Sequence, residues 1–187
     1  MGDLDVFVVS DPPRGTQWPQ AGTCTDFAAA AYDEFFSRIF RYCRFRLFTR
    51  ELAEDVTSIV FLGMVKHAGK LRGRTQEEVL RWLYRAAGNQ IASAIRSSRR
   101  RETILADAAR QRQEAQEGDG PADWVALYKA LFSLKKRDQE VVVLRYFEDL
   151  DAMQIAQIVG TSHTNVRSIL ARAREKLRGQ LESSFGD

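Results

Sequence analysis

Apolar residues along this chain recur at helical spacing far more often than at strand spacing. Phe36, Ile39, Phe40, Cys43 and Leu47 fall on one stripe beside Arg38, Arg41, Arg44 and Arg46, which predicts a basic amphipathic helix from Phe27 onward. After a polar break at Thr49-Arg50, Leu52, Val56, Ile59, Val60 and Met64 repeat the spacing and predict a second helix ending near Gly69. Thr75 stands three residues before Glu78 and just ahead of another apolar run, the arrangement of a capping box. A third helix is therefore expected to start there. It carries Val79, Leu80, Leu83, Ala87, Ile91 and Ile95 on one side and runs into an arginine-rich end.

A second group of helices follows. Trp124, Leu127, Tyr128, Leu131 and Leu134 form a helical stripe closed by Lys135-Lys136-Arg137. Val141-Val142-Val143 alone favours a strand, but the continuation of the pattern decides for helix. Asp151 is placed to cap a short helix bearing Ile155, Ala156 and Val159, and Gly160 to close it in the left-handed conformation. Ser162 can then cap a helix with Val166, Ile169, Leu170, Ala173 and Leu177 inside and Arg167, Ser168, Arg172, Arg174, Lys176 and Arg178 outside. Two short helices joined at a glycine turn, the second apolar within and basic without, predict a helix-turn-helix whose second helix enters a DNA major groove.

Charge sharpens the division. The net charge of +3 arises from unlike segments: residues 1–26 hold one basic and four acidic residues, 27–101 fifteen and seven, 102–128 two and six, and 129–187 ten and eight. Residues 1–26 hold three of the four prolines and one short apolar run, Val6-Phe7-Val8-Val9, and read as a poorly ordered extension. Residues 102–122 end in Gly118-Asp119-Gly120-Pro121 and read as a linker. The expectation is an all-α chain: a basic helical domain over 27–101, a flexible linker over 102–122, a second helical domain over 123–181, and a tail over 182–187.

Composition excludes several classes. No apolar run approaches the roughly eighteen residues that span a bilayer, and the start lacks a basic signal-peptide region, so a cytoplasmic chain without membrane insertion is expected. Cys24 and Cys43, with His67 and His163, lack zinc-ligand spacing. No nucleophile–base pair or phosphate-cradling glycine loop is present, so neither enzyme activity nor a cofactor is expected.

Leu144-Arg145-Tyr146-Phe147-Glu148-Asp149-Leu150, then Ile155-Ala156, then Val166-Arg167-Ser168-Ile169-Leu170-Ala171-Arg172-Ala173-Arg174-Glu175-Lys176-Leu177, resembles region 4 of bacterial RNA polymerase sigma factors. The family's usual pattern there is close to L-R-Y-F-E-G-L-S-x-x-E-I-A, then T-V-K-S-R-L-x-R-A-R-E-x-L. Ala53-Glu54-Asp55-Val56 with Phe61-Leu62 resembles region 2.2, and Trp82-Leu83-Tyr84-Arg85-Ala86-Ala87-Gly88-Asn89 resembles region 2.3 running into 2.4. With regions 2 and 4 alone, the chain is similar to the extracytoplasmic-function (ECF) group of the sigma-70 family.

The resemblance implies an alternative sigma factor that binds core RNA polymerase and directs promoter recognition and melting. It implies contact of Ser58, Ile59, Leu62 and Lys66 with the clamp helices of the largest polymerase subunit, and of region 4 with the flap of the second-largest. The family usually has Gln-Glu where this chain has Ser58-Ile59, so Ile59 either offers an apolar contact or is buried in the bundle. It further implies that Asn89, Ser93, Arg96, Arg99 and Arg100 meet the −10 element, and that the loop from Lys70 to Glu78 holds an unstacked base; Trp82 and Tyr84 invite a stacking role there, but the family generally packs this tryptophan inside, and the role of Tyr84 stays open. The −35 element falls to Arg167, Ser168 and Arg172, with Arg145 as a backbone contact. His163 either touches DNA or caps its helix. An anti-sigma factor is an implied partner beside promoter DNA. Two rivals remain at this stage: a stand-alone helix-turn-helix regulator, and a sigma-like adaptor that does not bind promoters.

Overall fold

The computed structural model describes residues 22–47, 49–97 and 122–185. The described residues form helices α1 (Cys24–Leu47), α2 (Arg50–Lys66), α3 (Ala68–Leu71), α4 (Gln76–Ser97), α5 (Ala122–Ser133), α6 (Lys136–Tyr146), α7 (Ala152–Val159) and α8 (His163–Phe185), with no strand among them. The chain divides into two units, Met1–Leu105 and Ala106–Asp187. The all-α expectation, including a helix through Val141-Val142-Val143, is met. Val6–Val9, the linker over 102–121, and Arg99 and Arg100 lie outside the described residues.

In the first unit α1, α2 and α4 pack against one another, with α3 against α1 and α2. The helices start where side chains can replace missing backbone partners. Thr23 caps α1: its Oγ1 accepts from the Asp26 amide at 3.1 Å while the Thr23 amide donates back to Asp26 Oδ2 at 2.8 Å. Helix α1 thus begins inside the stretch read as an extension. Arg72 also donates to the Gly22 carbonyl at 2.7 Å, which fastens the start of α1 to the loop after α3. The Thr75–Glu78 box forms as expected, with the Glu78 amide 3.2 Å from Thr75 Oγ1 and the Thr75 amide 3.0 Å from Glu78 Oε2.

The core stripe of α1 is Phe27, Ala31, Phe35, Ile39, Tyr42, Cys43 and Leu47. Phe36 and Phe40 are only half-buried, and Phe36 packs in an aromatic cluster with Tyr32 and Phe61. Two sequence readings are corrected here. Arg46 is not on a solvated basic face: it is 4% exposed and donates from Nη1 to the Tyr42 hydroxyl at 2.8 Å. Tyr84, not Trp82, is the fully buried aromatic of α4, meeting Tyr42 edge-on with ring centroids 5.3 Å apart. Tyr84 shares an i, i+3, i+7 row with Ala87 and Ile91, both buried, whereas Trp82 points off that row and is half-buried. Such an edge-on pair contributes about 0.5–1.5 kcal/mol beyond its burial.

In the second unit α8 packs against α5, α6 and α7. Leu131 and Leu134 are buried as the stripe predicts; the side chains of Trp124 and Tyr128 lie outside the described ones. Lys135-Lys136-Arg137 does not close α5. The chain turns at Leu134, whose amide bonds the Leu131 carbonyl, and Lys135 is the residue before α6, so these cations open the next helix. Helix α8 runs to Phe185, into the stretch read as a tail.

Candidate nucleic-acid interface

The α7–α8 turn is assembled from its side chains. Asp151 Oδ1 accepts from the amides of Met153 at 2.7 Å and Gln154 at 2.8 Å, and Gln154 Oε1 accepts from the Asp151 amide at 2.9 Å, completing a capping box. Gly160 closes α7 at φ 67°, ψ 55°, a left-handed conformation that glycine adopts without steric cost. Ser162 Oγ then accepts from the Asn165 amide at 3.2 Å and starts α8. His163 is exposed in the first turn of α8, and that cap bond comes from Ser162 instead. Asn165 Nδ2 donates to Thr161 Oγ1 at 2.8 Å, holding the turn against the helix.

Helix α8 buries Val166, Ile169, Leu170 and Ala173 and presents Arg167, Ser168, Arg172 and Arg174 to solvent. Arg167 and Arg172 have no hydrogen bond or ion pair among the described residues. Ser168 Oγ donates to the Thr164 carbonyl at 3.1 Å, which leaves its oxygen lone pairs facing outward as acceptors. Arg145, at the end of α6, donates from Nη1 to the Leu150 carbonyl at 3.1 Å. Lys176, read as part of the outer basic face, donates to the Ser133 carbonyl at 2.6 Å.

The first unit carries two further surfaces. On α2, Ser58, Ile59, Leu62 and Lys66 are all exposed, Ile59 at 48% and Leu62 at 61%. Burial of Ile59 in the bundle is therefore overturned. Val65, 54% exposed, extends the ridge; its i+3 spacing from Leu62 was the available signal. On α4, Asn89, Ser93 and Arg96 are exposed at i, i+4, i+7 spacing, one stripe along the helix.

Stepping back along that stripe by four residues gives Arg85 and then Arg81, which the sequence reading missed. Both line a pocket of about 320 Å³ together with His67, Lys70, Leu71, Arg74, Glu78 and Trp82. Four of these side chains are cationic and one is anionic. Glu78 is tied up in the pocket wall: the Thr75 amide, and then Arg74 at 3.0 Å, hold its carboxyl below the ordinary value of 4.5. His67 Nδ1 lies 2.7 Å from the Gly63 carbonyl, an acceptor, so Nδ1 carries the proton in the neutral ring and Nε2 is left as the free position. The pocket thus joins an indole face and an imidazole to a ring of positive charge, a combination suited to a flat base and its phosphates.

Each of the two units contains a match to a known family. Residues 31–101 match the family model described as Sigma-70 region 2, and residues 124–177 that described as Sigma-70, region 4. The chain is 28% identical over 163 residues to the ECF RNA polymerase sigma factor BldN of Streptomyces coelicolor, covering 82% of this chain and 60% of that protein. It is 24% identical over 161 residues to the ECF RNA polymerase sigma factor SigM of Bacillus subtilis, covering 83% and 96%. Among solved structures, the fold is similar to the sigma factor RpoE co-crystallised with the anti-sigma factor NepR from Bartonella quintana. The TM-score is 0.64 at 17% identity, over 84% of this chain and 98% of that one.

Proposed function

Since the chain belongs to the sigma-70 family, as an alternative sigma factor of the ECF kind, we propose how its surfaces divide the work of transcription initiation. The ridge Ser58-Ile59-Leu62-Lys66 docks on the clamp helices of core RNA polymerase, with Ile59 supplying apolar contact where the family more often has a polar residue. The stripe Asn89-Ser93-Arg96, together with Arg99 and Arg100, meets the −10 element, and the pocket at Trp82 takes one unstacked base of the melted strand. Helix α8 reads the −35 element through Arg167, Ser168 and Arg172, and Arg145 contacts the DNA backbone with the donors it does not use on Leu150. The second unit also rests on the polymerase flap. An anti-sigma factor that covers the α2 ridge would hold the protein inactive.

The observation that carries this reading is α8 itself, buried on one face and bearing unpaired arginines on the other, presented by a turn capped at Asp151, Gly160 and Ser162. Guanidinium groups there can bond guanine O6 and N7 or phosphate. Alone, each unit offers few phosphate contacts, so promoter binding depends on both being held on polymerase. The test is whether the purified protein forms a one-to-one complex with core RNA polymerase that a known sigma factor displaces, followed by run-off transcription on candidate promoters. No complex from folded protein freed of any inhibitor overturns this reading and leaves the stand-alone regulator.

A further inference from the structure

Not every cation near α8 is free for DNA. Arg137, in the first turn of α6, donates from Nη2 to the carbonyls of Val159 at 3.2 Å and Gly160 at 3.5 Å. These are the last carbonyl of α7 and the one in the turn itself, groups that have no partner within their own helix. At the other end, Lys176 on α8 donates to the carbonyl of Ser133, the last residue of α5, at 2.6 Å. One turn further on, Gln180 Oε1 accepts from Ser133 Oγ at 2.7 Å. Each cation thus lies where a helix ends in orphan carbonyls and the negative end of its dipole. One of these bonds holds the turn that leads into α8 against α6; the other holds the distal half of α8 against α5.

We infer that Arg137 and Lys176 are positioning residues for promoter recognition, fixing the angle at which α8 presents Arg167, Ser168 and Arg172, and that neither contacts phosphate. This rests on the reading of α8 as the −35 reader. The two roles for a cation differ in what they do to binding. A phosphate contact contributes equally to every sequence and adds about one to the salt slope of binding. A positioning residue leaves that slope alone, but lets the reading arginines drift from base edges, so discrimination falls while nonspecific affinity stays.

The experiment uses the full chain in three measurements. Binding to a random-sequence duplex is followed against salt for wild type, R137Q, K176Q and R145Q, the last removing the residue assigned to the DNA backbone. The slope is expected to stay at the wild-type value in R137Q and K176Q and to fall by about one in R145Q. Holoenzyme then selects from a duplex library randomised at the −35 position. R137Q and K176Q should lose about tenfold in preference for the wild-type consensus, and R137K and K176R, which keep a donor in place, should recover most of it. Residual dipolar couplings without DNA should show α8 reoriented against α6 in R137Q and restored in R137K. A slope reduced by about one in R137Q or K176Q overturns the proposal. So does an unchanged preference ratio, which is also what a merely destabilised fold gives, since it removes specific and nonspecific binding alike. If wild-type holoenzyme selects no sequence, the −35 reading fails, and the couplings alone decide whether these residues orient α8.

Discussion

The indole of Trp82 lies against the imidazole of His67 with ring centroids 5.7 Å apart and planes inclined at 47°, both in the lining of the cation-rich pocket between α3 and α4. The imidazole is pinned by its bond to the Gly63 carbonyl, so it braces the indole and restricts how the ring can tilt. A base bound there as proposed would meet a surface already set.

Removing that surface should impair melting without impairing assembly. Stacking contributes about 1–3 kcal/mol per base, so Trp82→Ala should lower open-complex formation by roughly 5- to 150-fold, while Trp82→Phe retains most of it. Permanganate reactivity of thymines in the −10 region measures the first, and co-migration with core polymerase the second. Loss of both together in a folded variant would count against a base-binding pocket.

The α2 ridge should be separable from the fold. Ile59 and Leu62 are too exposed for a charge there to enter the core, so Ile59→Glu and Leu62→Glu should each shift stability by no more than about 0.5 kcal/mol. Placed in a docked apolar contact, the same carboxylate should cost about 2 kcal/mol or more, weakening core polymerase binding at least about thirtyfold. Thermal unfolding and competition against a known sigma factor report the two quantities independently.

Acid should loosen the first unit through its caps. The Thr23 amide and hydroxyl hold the Asp26 carboxyl below its ordinary 3.8, and the Thr75 amide with Arg74 holds Glu78 below 4.5. Both carboxyls are more acidic folded than unfolded, so the stability they add is complete above the ordinary values and is lost as pH falls through the folded ones. Melting temperature should therefore drop below about pH 4.5 more steeply in wild type than in a D26N/E78Q variant, which starts lower at pH 7. Parallel curves for the two proteins would show that the caps play no part.

A single residue in the second unit sits in an unfavourable conformation. Asp149 has φ 51°, the one positive value at a non-glycine residue among those described, and it stands where the sigma pattern has glycine. Its exposed carboxylate, 4.0 Å from Arg145, returns little. Asp149→Gly should stabilise the unit by about 0.5–1 kcal/mol, raising its melting temperature by a few degrees, roughly 4–8 °C per kcal/mol for a unit of this size. Scanning calorimetry of the variant checks this, and a lowered melting temperature would mean that the Arg145 contact outweighs the backbone strain.

What the chain discloses before its structure is uneven, for physical reasons. The turn before α8 was legible to the residue because Asp151, Gly160 and Ser162 each do a job that few side chains can do. The Thr23–Asp26 cap was missed because a stretch rich in proline and glycine ran up to it, and composition outweighed a two-residue signal. Arg46 lies seven residues from Ile39 and four from Tyr42, on the buried arc, but its charge pointed the reading to solvent. Arg81 and Arg85 went unnoticed because the pocket they line is shared with α3 and the loop after it, a tertiary fact without a local signature. Lys176 looked like a DNA charge, and Arg137 like the end of a helix, because composition cannot tell a guanidinium or ammonium aimed at a carbonyl from one aimed at water.

The buried contact of Tyr42 with Tyr84 joins the first long helix of its unit to the last, across most of the sequence between them. Neither ring can reach water unless α1 and α4 part, so the two helices lose their protection together. Amide protons of Ile39 to Cys43 and of Leu83 to Ala87 should accordingly exchange in one step, at the rate of global opening of the unit. The stripe proposed to meet melting DNA thus begins at Asn89, just beyond the least yielding stretch of the bundle, so that its near end is anchored and its far end is the part of α4 able to adjust.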